Sequence, residues 1–246
     1  MVLEETMEKL RSMKLYGMLS AMEEQRNQPE IATLNFEDRF GLLVDQEWTY
    51  KENRRLKYRL GRAKLKIRDA AVEQIDYQLP RNLNKSLLLS LATSDWIAKK
   101  HNVIITGPTG CGKSFLACAL AQKACRDGHT ALYKRAPRLF EELTLARADG
   151  SYGKLLQKIA RIQLLVIDDW GIAPLSEMER RDFLEILEDR YDACSTIMTS
   201  QVPLNKWHDT IGDPTLADAI LDRVVHNAHK IRMKGESVRK SKGKVD

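Results

Sequence analysis

Cysteine is scarce in this sequence and is arranged in no metal-binding pattern. The four residues are Cys111, Cys118, Cys125 and Cys194, and no Cys-x-x-Cys or Cys-x-x-x-Cys pair occurs. The sequence therefore predicts neither a zinc site nor a disulfide framework. The first three cysteines lie seven residues apart, which is a helical spacing and indicates buried, reduced thiols.

Long apolar runs, internal repeats and low-complexity tracts are also missing. No apolar stretch reaches the length of a membrane span. The first residues carry Glu4 and Glu5 where an export signal would carry bases. We therefore expect no membrane contact and no export, and the 246 residues predict one or two domains.

Positive charge, by contrast, is concentrated in one segment. Residues 51–68 hold nine bases and a single acid, Glu52. The bases are Lys51, Arg54, Arg55, Lys57, Arg59, Arg62, Lys64, Lys66 and Arg68. A solvated helix face usually mixes signs, and no aromatic or leucine face favours a membrane surface. The run therefore predicts contact with a nucleic-acid backbone.

The segment that contains these bases is predicted to be helical. Thr49 and Glu52 form a capping-box pattern that predicts a helix start, and apolar residues follow at helical spacing at Leu56, Leu60, Ala63 and Ile67. Upstream, Leu15, Met18, Leu19 and Met22 indicate one amphipathic helix, and Phe40, Leu43, Val44 and Trp48 another, with Asn35 as its cap. We predict a helical domain over residues 1–70, a linker over 71–84 and a second domain over 85–246.

The second domain alternates strands and helices. The predicted strands are Val103–Thr106, Thr130–Tyr133, Leu164–Ile167, Ser195–Thr199 and Lys230–Met233. The clearest helix, Glu177–Tyr191, begins with the capping box of Ser176 and Glu179. Apolar strands joined by helical crossovers predict an α/β fold with a parallel five-stranded sheet and helices on both faces.

A phosphate-binding pattern follows the first strand. It comprises Gly107, Pro108, Thr109, Gly110, Cys111, Gly112, Lys113 and Ser114. The pattern requires a strand before it and a helix after it, and both are predicted here. Backbone N–H groups would surround a polyphosphate, Lys113 would neutralise it, and the Ser114 hydroxyl would bind Mg²⁺. An ordinary glycine-rich turn is the alternative.

Two carboxylates end the third strand. Because strand carboxyl ends line the ligand crevice of a parallel sheet, we expect Asp168 to hold Mg²⁺ and Asp169 to orient an attacking water. The fourth strand ends in Thr199-Ser200-Gln201, whose polar side chains are placed to contact a terminal phosphate or the water. Arg223 and Arg239 could complement phosphate charge, although spacing alone favours surface arginines.

Together these motifs resemble the IstB family of insertion-sequence helper ATPases. These are AAA+ proteins, similar to the bacterial helicase loader DnaC and the initiator DnaA. Besides the phosphate loop, the resemblance is carried by Val166-Ile167-Asp168-Asp169-Trp170-Gly171, Thr199-Ser200-Gln201, residues 211–223 and Lys234-Gly235-Glu236-Ser237-Val238-Arg239. The last two segments are the most discriminating, and residues 53–57 resemble the DNA-binding region less specifically.

The resemblance implies roles that spacing does not show. Arg223 matches an arginine finger that reaches a neighbouring subunit's nucleotide, Arg239 matches sensor 2, and Gln201 or Ser200 matches sensor 1. Asp169 departs from the usual glutamate and Gln201 from the frequent asparagine, so slow basal hydrolysis that rises on assembly is expected.

The resemblance also implies partners and cofactors. We expect a cytoplasmic bacterial ATPase that uses ATP and Mg²⁺, assembles as a homo-oligomer on duplex DNA, and helps a cognate transposase to select and capture target DNA. A helicase loader is the alternative within the same fold. A small-molecule kinase is a third possibility, but it would leave the basic helix unexplained.

Overall fold

A computed structural model describes residues 2–235, except for the side chains of Val2, Pro29 and Ala32. The chain divides into two compact units, Met1–Tyr58 and Arg59–Asp246. The domain boundaries predicted at residues 70 and 84 stay a prediction. The division between the two compact units lies at another place in the chain, between Tyr58 and Arg59.

The helices and strands alternate in the second unit, as predicted. The helices are α1 (Val2–Ser12), α2 (Tyr16–Asn27), α3 (Phe36–Ala63), α4 (Lys85–Leu91), α5 (Asp95–Ala98), α6 (Lys113–Arg126), α7 (Ala136–Ala148), α8 (Tyr152–Ala160), α9 (Glu177–Arg190), α10 (Trp207–Ile211) and α11 (Pro214–Val225). The strands are β1 (Asn102–Thr106), β2 (Ala131–Arg135), β3 (Leu164–Trp170), β4 (Ser195–Ser200) and β5 (Ala228–Arg232). Short 3₁₀ turns lie at Pro29–Thr33, Val72–Gln74 and Leu204–Lys206.

The first unit is helical and contains most of α3, whose residues 59–63 belong to the second unit. The Asn35 side chain accepts a hydrogen bond from the N–H of Asp38 at 2.8 Å, so the predicted cap is confirmed. The buried carboxylate of Glu47 accepts from the N–H groups of Gly17 and Met18 at 2.7 and 3.1 Å. An acid in the middle of α3 thus satisfies the free donors at the start of α2.

The helix start predicted at Thr49 is wrong. Thr49 lies inside α3, which runs without a break for 28 residues. The capping-box pattern does not mark a helix start here, because the residues before Thr49 are themselves helical. Their carbonyl groups accept hydrogen bonds from the N–H groups that a capping side chain would otherwise bond.

The sheet of the second unit has five strands in the order β2-β3-β4-β1-β5. Adjacent strands are parallel throughout, and the five predicted strands differ from the observed ones only at their ends. The predicted α/β architecture with a parallel five-stranded sheet is confirmed. Strand β1 pairs with β4 on one side and β5 on the other. The chain runs from β1 to β2 and from β4 to β5, which are opposite directions across the sheet. Ligand crevices of parallel sheets form at the carboxyl ends of strands where the connections diverge in this way.

Helices cover both faces of the sheet. Successive strand residues point to opposite faces, and the apolar side chains on each face pack against helices. On one face Ile104, Leu165 and Met198 join a core with residues of α7, α8, α9 and α11. The alternate residues Val103 and Val166 are fully buried on the other side, where α6 contacts β1, β2, β3 and β4.

Two helices of this unit begin at side-chain caps, and the first of these caps was predicted. Ser176 and Glu179 form the capping box of α9, and the side chain of Asp213 accepts from the N–H of Leu216 at 2.8 Å, with Pro214 as the first residue of α11. Across residues 2–235, the structure contains no helix with both the length and the apolar character of a membrane span.

Candidate functional site

The loop from Gly107 to Gly112 joins β1 to the first residue of α6. Gly112 has φ of 101°, a conformation that only glycine adopts readily. A Cβ atom on Gly107 would lie 2.6 Å from the carbonyl oxygen of Met233, so no side chain fits there. The backbone is thereby held tightly before the N-terminus of α6, where unpaired N–H groups attract phosphate.

Lys113 places its charge inside this loop. The residue is buried, and its ammonium donates to the carbonyl oxygens of Gly107 and Pro108 at 2.8 and 2.9 Å. The loop therefore curves around the positive charge of Lys113.

Ser114 and Asp168 meet below the loop, as the sequence predicts for a magnesium site. The Ser114 hydroxyl lies 2.9 and 2.8 Å from the Oδ1 and Oδ2 atoms of Asp168. The carboxylate also accepts hydrogen bonds from the hydroxyls of Tyr133 and Thr199. Tyr133, Asp168 and Thr199 lie on three adjacent strands and share the sheet face that α6 covers.

The environment of Asp168 keeps it ionised. Burial acts to raise the pKa of this carboxyl, but the hydrogen bonds from Thr199, Tyr133 and Ser114 and the nearby charge of Lys66 lower the pKa below its usual value. Burial and the same carboxylate raise the pKa of Tyr133, so its hydroxyl stays a donor. Asp168 is thus a buried anion whose oxygens are preoriented by three hydroxyl groups.

Asp169 points to a different partner. Its backbone has φ of 61°, and the pairing of β3 with β4 is irregular between Ile167 and Trp170. The Asp169 N–H donates to Thr199 Oγ1 at 3.2 Å, and its carboxylate accepts from Arg135 Nε at 3.0 Å. A positive φ at a residue other than glycine is costly and is concentrated at functional sites.

The two sensor-1 candidates have different surroundings. Gln201 accepts a hydrogen bond from the hydroxyl of Thr109 at 2.6 Å, so it reaches the phosphate loop. The hydroxyl of Ser200 is buried, donates to the carbonyl of Trp170 at 2.7 Å and accepts from the N–H of Val202 at 3.0 Å. The structure brings Gln201 to the loop and commits the Ser200 hydroxyl to the sheet.

Arg223 lies near the amino ends of the strands, whereas the loop lies at their carboxyl ends. Its carbonyl oxygen is 3.3 Å from the side-chain nitrogen of Asn102, which begins β1, whereas the loop follows the end of that strand. Its guanidinium donates to Glu188 Oε1 at 2.9 Å and to the carbonyl of Ala219 at 3.0 Å. Five residues of strand span about 16 Å, so Arg223 is remote from its own loop. Arg239 lies outside the described residues.

The predicted DNA-contacting bases fall on both units. Arg54 and Lys57 are exposed on the first unit, while Lys51 pairs with Glu47 at 3.2 Å and Arg55 with Glu52 at 2.5 Å. The remaining bases belong to the second unit, where Arg59 donates to the carbonyl of Cys125 at 2.8 Å. Lys66 lies 3.5 Å from Asp168 Oδ2. Its ammonium therefore faces the candidate magnesium site in this structure.

Four residues contact the two acids without having been predicted to do so: Tyr133, Arg135, Thr199 and Lys66. Thr199 and Tyr133 carried a usable signal, since residues of the same strand parity near neighbouring carboxyl ends share one face. Lys66 carried none, because its position depends on how the segment after α3 packs.

Comparisons with known proteins identify the family of the chain. The sequence matches the family of IstB-like ATP binding proteins over residues 8–245. The chain belongs to this family. It is 49% identical to the insertion sequence ATP-binding protein y4pL of Sinorhizobium fredii over 98% of both chains. It is 45% identical to the IS1162 ATP-binding protein of Pseudomonas fluorescens, over 82% of this chain and 88% of the relative.

Solved structures agree with the IstB-like assignment at the level of the fold. The DnaC helicase loader superposes with a TM-score of 0.55 at 19% identity, over 68% of this chain and 97% of the loader. AMPPCP-bound DnaA from Aquifex aeolicus superposes with a TM-score of 0.57 at 16% identity, over 70% and 52% of the two chains. The predicted relation to AAA+ proteins of the DnaC and DnaA type is therefore confirmed for the fold.

Proposed function

We propose that this IstB-like protein is an ATPase that binds duplex DNA and helps a transposase to select and capture target DNA. The observation that carries the enzymatic part is the contact of Ser114 with the buried Asp168 beneath a lysine-containing phosphate loop. Loop, lysine, hydroxyl and carboxylate are the groups that phosphoryl transfer in this class of fold requires.

The residues present fit ATP and Mg²⁺. A Cβ atom at Gly107 would meet the Met233 carbonyl oxygen at 2.6 Å, and Gly112 has a left-handed backbone, so the loop needs both glycines to keep its tight turn. Ser114 and Asp168 supply hard oxygen atoms, which are the donors that Mg²⁺ prefers. When bound, the ion neutralises charge on the phosphates.

The protein's own residues then have separable tasks. Lys113 would neutralise the outer phosphates, and Ser114 and Asp168 would hold the metal. Gln201 reaches the loop through Thr109 and is placed to contact the terminal phosphate or the attacking water. Asp169 would orient that water once its carboxylate is no longer held by the Arg135 guanidinium, so turnover before assembly would be slow.

An assembled form is part of the proposal. Because Arg223 lies near the amino ends of the strands, away from its own loop, its guanidinium would serve the nucleotide of a neighbouring subunit. Assembly on DNA would bring these parts together, and the exposed bases of α3 would contact phosphate groups without reading sequence. Insertion-sequence relatives along nearly the whole chain support a transposase as the partner.

The test of the enzymatic part uses two variants of the site. Lys113→Ala should weaken ATP binding about 10- to 100-fold, since a charge-assisted contact contributes roughly 1.5–3 kcal/mol. Asp168→Asn should retain part of the binding and lose Mg²⁺-dependent hydrolysis. Binding is measured by calorimetry and hydrolysis by phosphate release, with exposed Lys99→Ala as the control. Wild-type hydrolysis by Lys113→Ala would refute the assignment.

A helicase loader is the second candidate, favoured by the fold it shares with DnaC. The two functions differ in the protein that is bound. Affinity purification of the full chain with ATP and duplex DNA should retain a transposase encoded by the same insertion sequence. Retention of a ring helicase instead would support the loader.

A further inference from the structure

The end of α3 and the segment that follows it are anchored beside the candidate magnesium site. Ala63, Leu65 and Ala70 are buried, and all three belong to the same unit as the phosphate loop. Lys66 lies between these anchors, and its side chain retains 37% of its exposure. The backbone of this segment is therefore held by buried neighbours, while part of the Lys66 side chain reaches solvent.

Lys66 directs that ammonium to the carboxylate that the metal would use. Its Nζ atom lies 3.5 Å from Asp168 Oδ2, the oxygen that also accepts from Tyr133 and from Ser114. Asp168 itself is completely buried. A buried carboxylate is stabilised by a nearby cation, and Lys66 provides one without a metal ion.

An ammonium and a magnesium ion cannot share this position, because each repels the other at contact distance. We propose that Lys66 is a displaceable counter-ion of Asp168, so that Lys66 and Mg²⁺ compete for the carboxylate and Lys66 sets the Mg²⁺ concentration at which nucleotide is held tightly. The proposal rests on the proposed function of the site and concerns its regulation.

The first experiment measures the Mg²⁺ dependence of nucleotide binding. A fluorescent, non-hydrolysable ATP analogue is titrated with the full chain at increasing Mg²⁺ concentrations. Lys66→Met should lower the half-saturating Mg²⁺ concentration about fivefold, because the metal no longer has to displace one unit charge of an ion pair about 4 Å apart in a water-like setting. Lys66→Arg should behave as the wild type. Lys99→Met, the same change at an exposed lysine before β1, should leave the value unchanged.

The sign of this effect separates competition from a structural role. A lysine that merely supported the fold would, on removal, raise the Mg²⁺ requirement or leave it unaltered, and either result would overturn the proposal. Wild-type protein that fails to bind the analogue at any Mg²⁺ concentration would instead refute the proposed nucleotide site.

A second measurement needs neither a variant nor a nucleotide. Amine acetylation of the wild-type chain is followed by mass spectrometry in EDTA and in millimolar Mg²⁺. Displacement from Asp168 should raise the labelling rate of Lys66 several-fold on addition of Mg²⁺, while Lys99 keeps its rate. A rate at Lys66 that does not respond to Mg²⁺ would contradict the competition.

Discussion

Thr199 links the two acidic residues of the site. Its hydroxyl donates to Asp168 and accepts from the N–H of Asp169, and the residue is fully buried. One side chain therefore orients the Asp168 carboxylate and fixes the backbone of Asp169. The sequence shows it only as a polar residue near a strand end.

Replacing Thr199 should destabilise the protein and raise the pKa of Asp168. Thr199→Val keeps the shape but leaves a buried carboxylate with one hydrogen bond fewer, which should lower the free energy of unfolding by about 2 kcal/mol. The pKa of Asp168 should rise, because a hydrogen bond that lowers it is removed. Urea denaturation measures the first effect.

A suitable control is Thr144→Val, since Thr144 is exposed and its hydroxyl bonds the carbonyl of Phe140 in its own helix. Its free energy of unfolding should change by less than about 0.5 kcal/mol. Equal losses of stability in the two variants would show that the hydrogen bond to Asp168 contributes nothing special.

The cysteines of α6 should be unreactive at neutral pH. Burial raises the pKa of Cys118 and raises that of Cys125 to about 11. Since only the thiolate is nucleophilic, alkylation of Cys125 should be slow at pH 8 and should accelerate as pH rises toward 11. Mass spectrometry of iodoacetamide-treated native protein measures these rates.

Cys194 supplies the internal comparison, because it is only half-buried. It should be alkylated first. Faster modification of Cys125 than of Cys194 at pH 8 would show that α6 opens readily or that its thiols are more acidic than their burial implies.

At the scale of elements, the long helix α3 carries the predicted DNA surface of the first unit. Reversing Arg54, Arg55 and Lys57 to glutamate should weaken duplex binding to a similar degree on all sequences, because phosphate contacts position a protein without specifying bases. The slope of log affinity against log salt should also become shallower, by about 0.9 for each phosphate that the variant no longer neutralises. Fluorescence anisotropy with two unrelated duplexes measures both.

A matched control reverses three exposed bases of the second unit, Lys154, Lys158 and Arg161. The change in net charge is identical, so a general electrostatic effect would reduce binding equally. Equally weakened binding by the two triple variants would argue that α3 forms no specific DNA surface.

At the scale of the whole molecule, the position of Arg223 predicts a site shared between subunits. Arg223→Ala should bind ATP, because the phosphate loop of its own chain is intact. Its hydrolysis should nevertheless fall by roughly 10³–10⁵, the contribution of an arginine finger in related phosphoryl transfers. Phosphate release at saturating ATP and DNA measures the decrease.

Mixing two inactive variants tests the sharing directly. Lys113→Ala lacks a working loop and keeps its finger, whereas Arg223→Ala has the reverse defect. Co-assembly should rebuild some complete sites and restore part of the DNA-stimulated activity. A mixture that co-assembles and stays inactive would leave Arg223 as a structural partner of Glu188.

Much of the nucleotide site could be read from local sequence. The loop from Gly107 to Ser114 depends on residues that are consecutive in the chain, and the strand ending in Asp168 is recognisable from its apolar run. The caps at Ser176 and Asp213 depend on contacts three residues away. Local hydrogen bonding and strand alternation therefore determine the fold class, the loop and the position of the Asp168 carboxylate.

Other features depend on contacts between distant segments, which local patterns do not encode. Thr49 carries a cap pattern yet lies within α3, because helix on both sides satisfies its backbone. The Ser200 hydroxyl turns to the carbonyl of Trp170, because irregular pairing between β3 and β4 brings that carbonyl near. Lys66 belongs to a basic run, but burial of its neighbours turns its ammonium to Asp168, 102 residues farther along the chain.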